Sequence, residues 1–359
     1  MTIKVCFLIM NISNGGGTER VTTMIADGLS KKGYDVSICS CQYGENTLFE
    51  LSPDVNLFSI HGEQIQNPLF RKIYCFNRIR ELLVKQKFDM MVAVDVALYA
   101  YLYPLQKVYN VKVIAWEHFN FFLSPNVFVK FARCLAAKHA DCTIVLSKSD
   151  YNNYRNNIKH IHNLQYIYNP LCDTDTAKAN ISAKSVIAAG RLTKQKGFDL
   201  LIDSWSQVEN SCPDWSLHIF GEGPLKESLE QQIQKLCLKH VYLEGFSNDI
   251  ESEMAKSSIF VLSSRYEGFG LVLIEAQSKG LPCISFDCKE GPAEIIDNNV
   301  NGFLIEPYDI KAFANKMKFL MENIELRSEF ASHATDKLYR FSLDKIIADW
   351  DSVIKQLCK

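Results

Sequence analysis

The 359-residue chain is defined first by what it lacks. It has no large net charge: 39 Lys and Arg stand against 41 Asp and Glu, so the overall balance gives no reason to expect nucleic acid as a partner. Its 12 cysteines form no Cys-x-x-Cys pair and no Cys/His group at zinc spacing, with Cys39-Ser-Cys41 the tightest pairing. No apolar run is long enough to span a bilayer. The nearest is residues 90–105, MMVAVDVALYAYLYPL, which carries Asp95 and Pro104 and reads as a buried strand followed by the start of a helix. No signal-peptide pattern precedes the opening IKVCFLIM, and unpaired cysteines in such number predict a reducing, cytoplasmic setting. Internal repeats and low-complexity tracts are also missing.

What is present is globular: 47% apolar and 22% charged residues. The length predicts two domains of roughly 150–200 residues each. Charge divides unevenly, with 19 Lys and Arg against 15 Asp and Glu in residues 1–180, which leaves that half mildly basic and fits an anionic partner or surface. Strand-like runs fall at 4–10, 35–41, 89–94, 112–116, 142–146, 185–189, 216–220, 241–244, 259–262 and 282–285. Many are continuously apolar, as suits parallel strands covered on both faces. Helical patterns lie between them, among them 18–31, 198–209, 224–238 and 271–280. This alternation predicts an α/β chain of two Rossmann-like, doubly wound domains facing across a cleft. The expected division is 1–170, a polar linker 171–184 and 185–340, with a helix at about 341–359 packing back on the first domain through Phe341, Ile346, Ile347, Trp350 and Ile354.

In open α/β sheets ligands bind beyond the carboxyl ends of strands, and four loops there stand out. Asn14-Gly-Gly-Gly-Thr18 follows the first strand, where glycines admit a ligand to the backbone and a helix start offers N–H groups to an anion; otherwise it is a flexible turn with Thr18 as cap. Gly190-Arg-Leu-Thr-Lys-Gln-Lys-Gly197 brings Arg191 and Lys196, a guanidinium and an ammonium suited to a diphosphate. Phe220-Gly-Glu-Gly-Pro224 reads mainly as a structural turn. The fourth loop, SSRYEGFG, leads into a helix from Leu271, placing Glu267 in the loop and Glu275 in the second helical turn. The N–H groups of Phe269, Gly270 and Leu271 suit phosphate, while Glu267 suits a neutral group rich in hydroxyls, such as a sugar.

Together, Gly-Gly-Gly-Thr-Glu-Arg at 15–20, Gly-Arg-Leu-x-x-x-Lys-Gly at 190–197, Gly-Glu-Gly-Pro at 221–224 and Glu-Gly-Phe-Gly-x-x-x-x-Glu-Ala at 267–276 resemble glycosyltransferase family 4, as do Gly291-Pro-Ala-Glu294 and Asn301-Gly-Phe-Leu304. The resemblance implies the GT-B fold, a nucleotide-sugar donor, a UDP-sugar by expectation, and retention of anomeric configuration. It implies that Arg191 and Lys196 bind the donor diphosphate, Glu267 the sugar hydroxyls and Glu275 the ribose. Phe269, Gly270 and Leu271 would supply backbone donors, Gly16 and Gly17 would line the site from the first domain, and Phe246 would pack the base. Trp116-Glu-His118 matches the family histidine near the transferred sugar. The two glutamates then hold different parts of one donor, rather than flanking a bond at the roughly 5 Å separation of a covalent retaining pair.

No cofactor or metal is expected. Asp173-Thr-Asp175 has the Asp-x-Asp form of a metal site but sits in the linker. The acceptor implied is a lipid-linked cell-surface glycan of the O-antigen, capsule or exopolysaccharide kind. Phe128, Phe131, Arg133 and Lys138, with Arg71, Lys72, Arg78, Arg80, Lys85 and Lys87, are either a surface for anionic lipid at the inner membrane face or core aromatics with solvated cations. Two other readings stay open here, a nucleotide-sugar epimerase and a noncatalytic sugar-nucleotide-binding subunit.

Overall fold

The computed structural model describes residues 2–44, 46–123, 127–172 and 177–359; Asp173-Thr-Asp175 lies outside them. The chain forms two compact units, Met1–Pro170 with Ser342–Lys359, and Leu171–Phe341. Each is built on a parallel sheet, and parallel neighbours require a crossover between them, here usually a helix.

In the first unit the strands are β1 (Lys4–Ile9), β2 (Asp35–Ser40), β3 (Asn56–Ser59), β4 (Met90–Val94), β5 (Lys112–Trp116), β6 (Cys142–Val145) and β7 (Leu164–Tyr166). They pair in the order β3-β2-β1-β4-β5-β6-β7. The helices α1 (Gly17–Lys31), α2 (Pro68–Gln86), α3 (Val96–Tyr109), α4 (Val127–His139) and α5 (Lys148–Asn157) run between strands. The second unit holds β8 (Ser185–Ala189), β9 (Ser216–Phe220), β10 (Val241–Gly245), β11 (Ile259–Leu262), β12 (Cys283–Phe286) and β13 (Gly302–Ile305), ordered β10-β9-β8-β11-β12-β13. Its helices are α6 (Phe198–Ser206), α7 (Lys226–Lys235), α8 (Ile250–Ala255), α9 (Leu271–Ser278), α10 (Pro292–Ile295), α11 (Ile310–Glu322) and α12 (Ile324–His333). Strand order reverses beside β1 in one sheet and beside β8 in the other, and at such switch points the following loops splay apart and leave room for a ligand.

The continuously apolar runs are the sheet interiors: β4, MMVAV, is buried at every position. Asp95, which interrupts the longest apolar run, ends β4 and caps α3, its carboxylate accepting from the Ala97 N–H at 2.8 Å, and Pro104 lies inside that helix. Three strands were not expected, β3, β7 and β13, and each is the edge of its sheet. Edge strands have a neighbour on one side only, so they tolerate short and partly polar sequences such as NLFS and LQY. Some helices are shorter than their patterns: α6 stops at Ser206 and α7 spans Lys226–Lys235. Thr18 is not a cap, since α1 begins at Gly17 after Gly16.

The final helix, α13 (Leu343–Leu357), belongs to the first unit and buries Ile346, Ile347, Trp350 and Ile354. Phe341, expected to share its apolar face, instead sits in the second unit, edge-on to Phe269 with ring centroids 5.5 Å apart. Trp350 packs between Phe7 of β1 (5.9 Å) and Trp116 of β5 (4.8 Å). Emptying so large a fully buried site is expected to cost about 3–5 kcal/mol, so Trp350→Ala should unfold at markedly lower urea, followed by far-UV circular dichroism.

Candidate functional site

In the second unit the functional side chains lie on two loops leaving neighbouring strands, residues 190–197 after β8 and 263–270 after β11. These loops are stitched together. The Arg265 N–H donates to the Gln195 carbonyl (2.8 Å), the Gln195 amide to the Tyr266 carbonyl (3.2 Å) and the Ser263 hydroxyl to the Lys196 carbonyl (3.0 Å). The Arg265 guanidinium holds Asp199, at the start of α6, with two hydrogen bonds of 2.7 and 2.6 Å and also reaches the Lys194 carbonyl. Partial burial works to raise the Asp199 carboxyl, but Arg265 outweighs it and holds the group below its ordinary value.

The stitching sets Lys196 against Glu267, Nζ to Oε1 at 2.7 Å, and the Ser264 hydroxyl donates to the same oxygen at 2.6 Å. Glu267 is only 5% exposed. Gly190 makes room for this pair, because a Cβ there would stand 3.1–3.3 Å from the Lys196 stem. Glu275 is buried in α9, and Gly270 precedes that helix with φ +95°, a conformation open to glycine. The first N–H groups of α9 have no intrahelical acceptor. Phe269 is buried, and its carbonyl lies where a side chain on Gly291 would be, 2.1 Å from an ideal Cβ, which accounts for the glycine of Gly291-Pro-Ala-Glu294. Arg191 is exposed at the loop's beginning, with no ion-pair partner among the described residues, and Phe246 follows β10 at 69% exposure. The turn at 221–224 has a structural role: the Leu192 N–H donates to the Glu222 carbonyl, bracing the Arg191 loop.

In the first unit, His118 follows β5 and is buried, its ring 4.2 Å from that of Trp116. Its Nε2 has no hydrogen-bond partner among the described residues. Burial lowers its pKa from 6.5 to about 3, so the imidazole is neutral at physiological pH. Next to it, Glu117 is fully buried and accepts from Arg133 Nε (2.8 Å) and the Tyr154 hydroxyl (2.9 Å). Arg133 also donates to the carbonyls of Phe121, Asn120 and Leu123, fixing the loop that carries His118. Burial pushes the Glu117 carboxyl up and Arg133 opposes it. Gly16 and Gly17 start α1, with no side-chain cap.

Arg133 therefore corrects the sequence reading. It is 2% exposed and paired with Glu117, so it offers nothing to a lipid surface. Three groups that sequence reasoning passed over support the site: Ser264 on Glu267, the Arg265–Asp199 clamp, and the Glu117–Arg133 pair. Each joins positions whose separation in sequence follows no motif, although Ser264 and Arg265 lie inside the loop quoted for its glutamate.

Removing Arg133 would leave Glu117 buried without its counter-ion. Arg133→Met is expected to destabilise the fold by about 3–5 kcal/mol, read by chemical denaturation. His118 should show no titration between roughly pH 5 and 8 when its ring protons are followed by NMR. Because its folded pKa is depressed, the unfolded chain takes up the proton first. This histidine's contribution to stability is therefore complete above about 6.5 and declines as the pH falls toward 3.

A family model described as "Glycosyltransferase Family 4" matches residues 15–173, and one described as "Glycosyl transferases group 1" matches residues 174–337. The chain is 30% identical over 355 residues to an uncharacterized glycosyltransferase of Haemophilus influenzae, covering 98% of this chain and 99% of that protein. It is likewise 30% identical over 365 residues to the amylovoran biosynthesis glycosyltransferase AmsD of Erwinia amylovora, again covering 98% and 99%. Among solved structures, TarM of S. aureus, in a complex containing UDP, superposes with a TM-score of 0.85 at 17% identity, covering 98% of this chain and 99% of TarM. The two parallel-sheet units are thus the α/β GT-B fold, and the chain belongs to glycosyltransferase family 4, as an enzyme of the hexosyltransferase class.

Proposed function

We propose that this enzyme moves a hexose or N-acetylhexosamine from a UDP-sugar, with retention of configuration, to a growing lipid-linked cell-surface glycan. The observation that carries this reading is the Lys196–Glu267 pair, 2.7 Å long and nearly enclosed, beside the start of α9. Breaking the bond between sugar and diphosphate builds positive charge on the sugar and negative charge on the departing diphosphate. Arg191, Lys196 and the α9 N–H groups offset the negative charge, which accelerates the step because they are in place before it begins. Glu267, close to Lys196, accepts from the sugar hydroxyls; Glu275 accepts from the ribose and Phe246 packs the base. The backbone at Phe269, Gly270 and Leu271 meets the phosphates.

His118, neutral and with an unused Nε2, serves as a hydrogen-bond partner for the transferred sugar rather than as a cation. The acceptor attacks on the face the diphosphate leaves, and the diphosphate takes the acceptor's proton, so no glutamyl intermediate forms. The chain's own cations meet the diphosphate charge, and transfer is expected to persist in EDTA. UDP in the TarM complex supports the donor, and the role of AmsD in amylovoran biosynthesis supports a surface glycan. The setting that follows is the cytoplasmic side of the membrane. No helix among the described residues is long and apolar enough to cross it, so attachment there would be peripheral.

The test is UDP release from radiolabelled UDP-sugars supplied with lipid-extracted acceptors. Lys196→Ala and Glu267→Gln are each expected to lower turnover on the order of 10²–10³-fold. Turnover within a few-fold of wild type in both would overturn the site. Product with inverted anomeric configuration would overturn the mechanism.

A further inference from the structure

The first turns of α2 and α4 present a surface that the donor site does not use. Leu69, Phe70 and Ile73 on α2, and Val127, Phe128 and Phe131 on α4, are all exposed, Phe70 at 64% and Phe131 at 59%. The two helices meet there, with Lys72 Nζ 5.0 Å from the centre of the Phe128 ring. Large apolar side chains left in water at neighbouring positions on two helices mark a surface built for contact.

Its charge is one-sided. Residues 64–80 and 118–140 contain no Asp or Glu and seven Lys or Arg. Arg133 is spent on Glu117, and Arg78 pairs with Glu81. Arg71, Lys72, Arg80, Lys130 and Lys138 remain, with no acidic partner among the described residues. A second copy meeting this face about a two-fold axis would set lysine against lysine. A bilayer bearing anionic headgroups satisfies both halves of the pattern. Aromatic and aliphatic groups enter the interface while lysines on long apolar stems reach the phosphates.

We propose that the joined first turns of α2 and α4 seat this enzyme on an anionic lipid bilayer. This extends the acceptor reading to the surface that carries the acceptor, and it is tested apart from it, with neither donor nor acceptor present. The full chain is floated with vesicles of 70% phosphatidylcholine and 30% phosphatidylglycerol, and with pure phosphatidylcholine. Binding should require phosphatidylglycerol and fall in high salt.

Each removed cation should weaken partitioning roughly fivefold, so Lys72→Gln with Lys130→Gln should weaken it roughly 25-fold. Phe70→Ser with Phe131→Ser should weaken it at least tenfold. All four positions are exposed, so the variants should melt as wild type does and hydrolyse or transfer a UDP-sugar to delipidated acceptor unchanged. Equal binding to both vesicle types, or wild-type binding by both variants, overturns the proposal. So does a protein that ignores vesicles and dimerises until Phe70 and Phe131 are replaced, which would make a second copy the occupant. If vesicle binding holds while transfer fails, the donor-site reading fails and this one stands.

Discussion

A lysine and a glutamate held 2.7 Å apart, both largely withdrawn from water, constrain everything around them in the second unit. Taking two ions out of water costs several kcal/mol each, and their attraction recovers this only where the geometry is good and further hydrogen bonds are made. That requirement explains the surrounding detail. The Ser264 hydroxyl shares the Glu267 oxygen, and Gly190 leaves space for the Lys196 stem. The Arg265–Asp199 clamp keeps two loops from distant parts of the sequence in register. A pair so braced does not have to reorganise when charge develops beside it, which is the physical content of preorganisation.

The first unit contains a second buried pair with a different purpose. Arg133 and Glu117 have side chains only 3% and 1% exposed, against 19% for Lys196. Arg133 is saturated by one carboxylate and the carbonyls of the 120–123 loop, and Glu117 by two side chains and a backbone N–H. Nothing is left over to meet a substrate. Its product is geometry, a rigid turn next to which the His118 ring is lodged against Trp116. The remaining access of Lys196 separates the pair that can do chemistry from the pair that holds shape.

Much of this was legible in the amino acids because parallel sheets write themselves as apolar runs. The strands from Lys112 to Trp116, Ser185 to Ala189, Ser216 to Phe220 and Ile259 to Leu262 begin and end where composition predicts. The edge strands β3, NLFS, and β7, LQY, escaped because an edge does not demand the same hydrophobicity, and β13, GFLI, because three apolar residues behind a glycine are too short a run to mark a strand. Arg191, Lys196, Glu267 and Glu275 stood out by type and by position at strand ends. That Lys196 and Glu267 touch, 71 positions apart, is a property of the sheet placing β8 beside β11 and cannot be read from either loop. Arg133 was misread for a related reason. In a basic, aromatic helix nothing local marks the one cation that turns inward, and its carboxylate lies 16 residues upstream on another element.

The place of α13 has a consequence for the order of assembly. The aromatic nest of Phe7 and Trp116 is closed by Trp350, so the unit that holds β1 is completed only by residues that follow the whole of the second unit. During synthesis Phe7 and Trp116 lack Trp350 until Leu171–Phe341 has been made. Domains that fold in the order of their translation do so because each is sequence-contiguous. Here the second unit is free to finish first, and the first unit is most vulnerable to aggregation in the interval before α13 arrives.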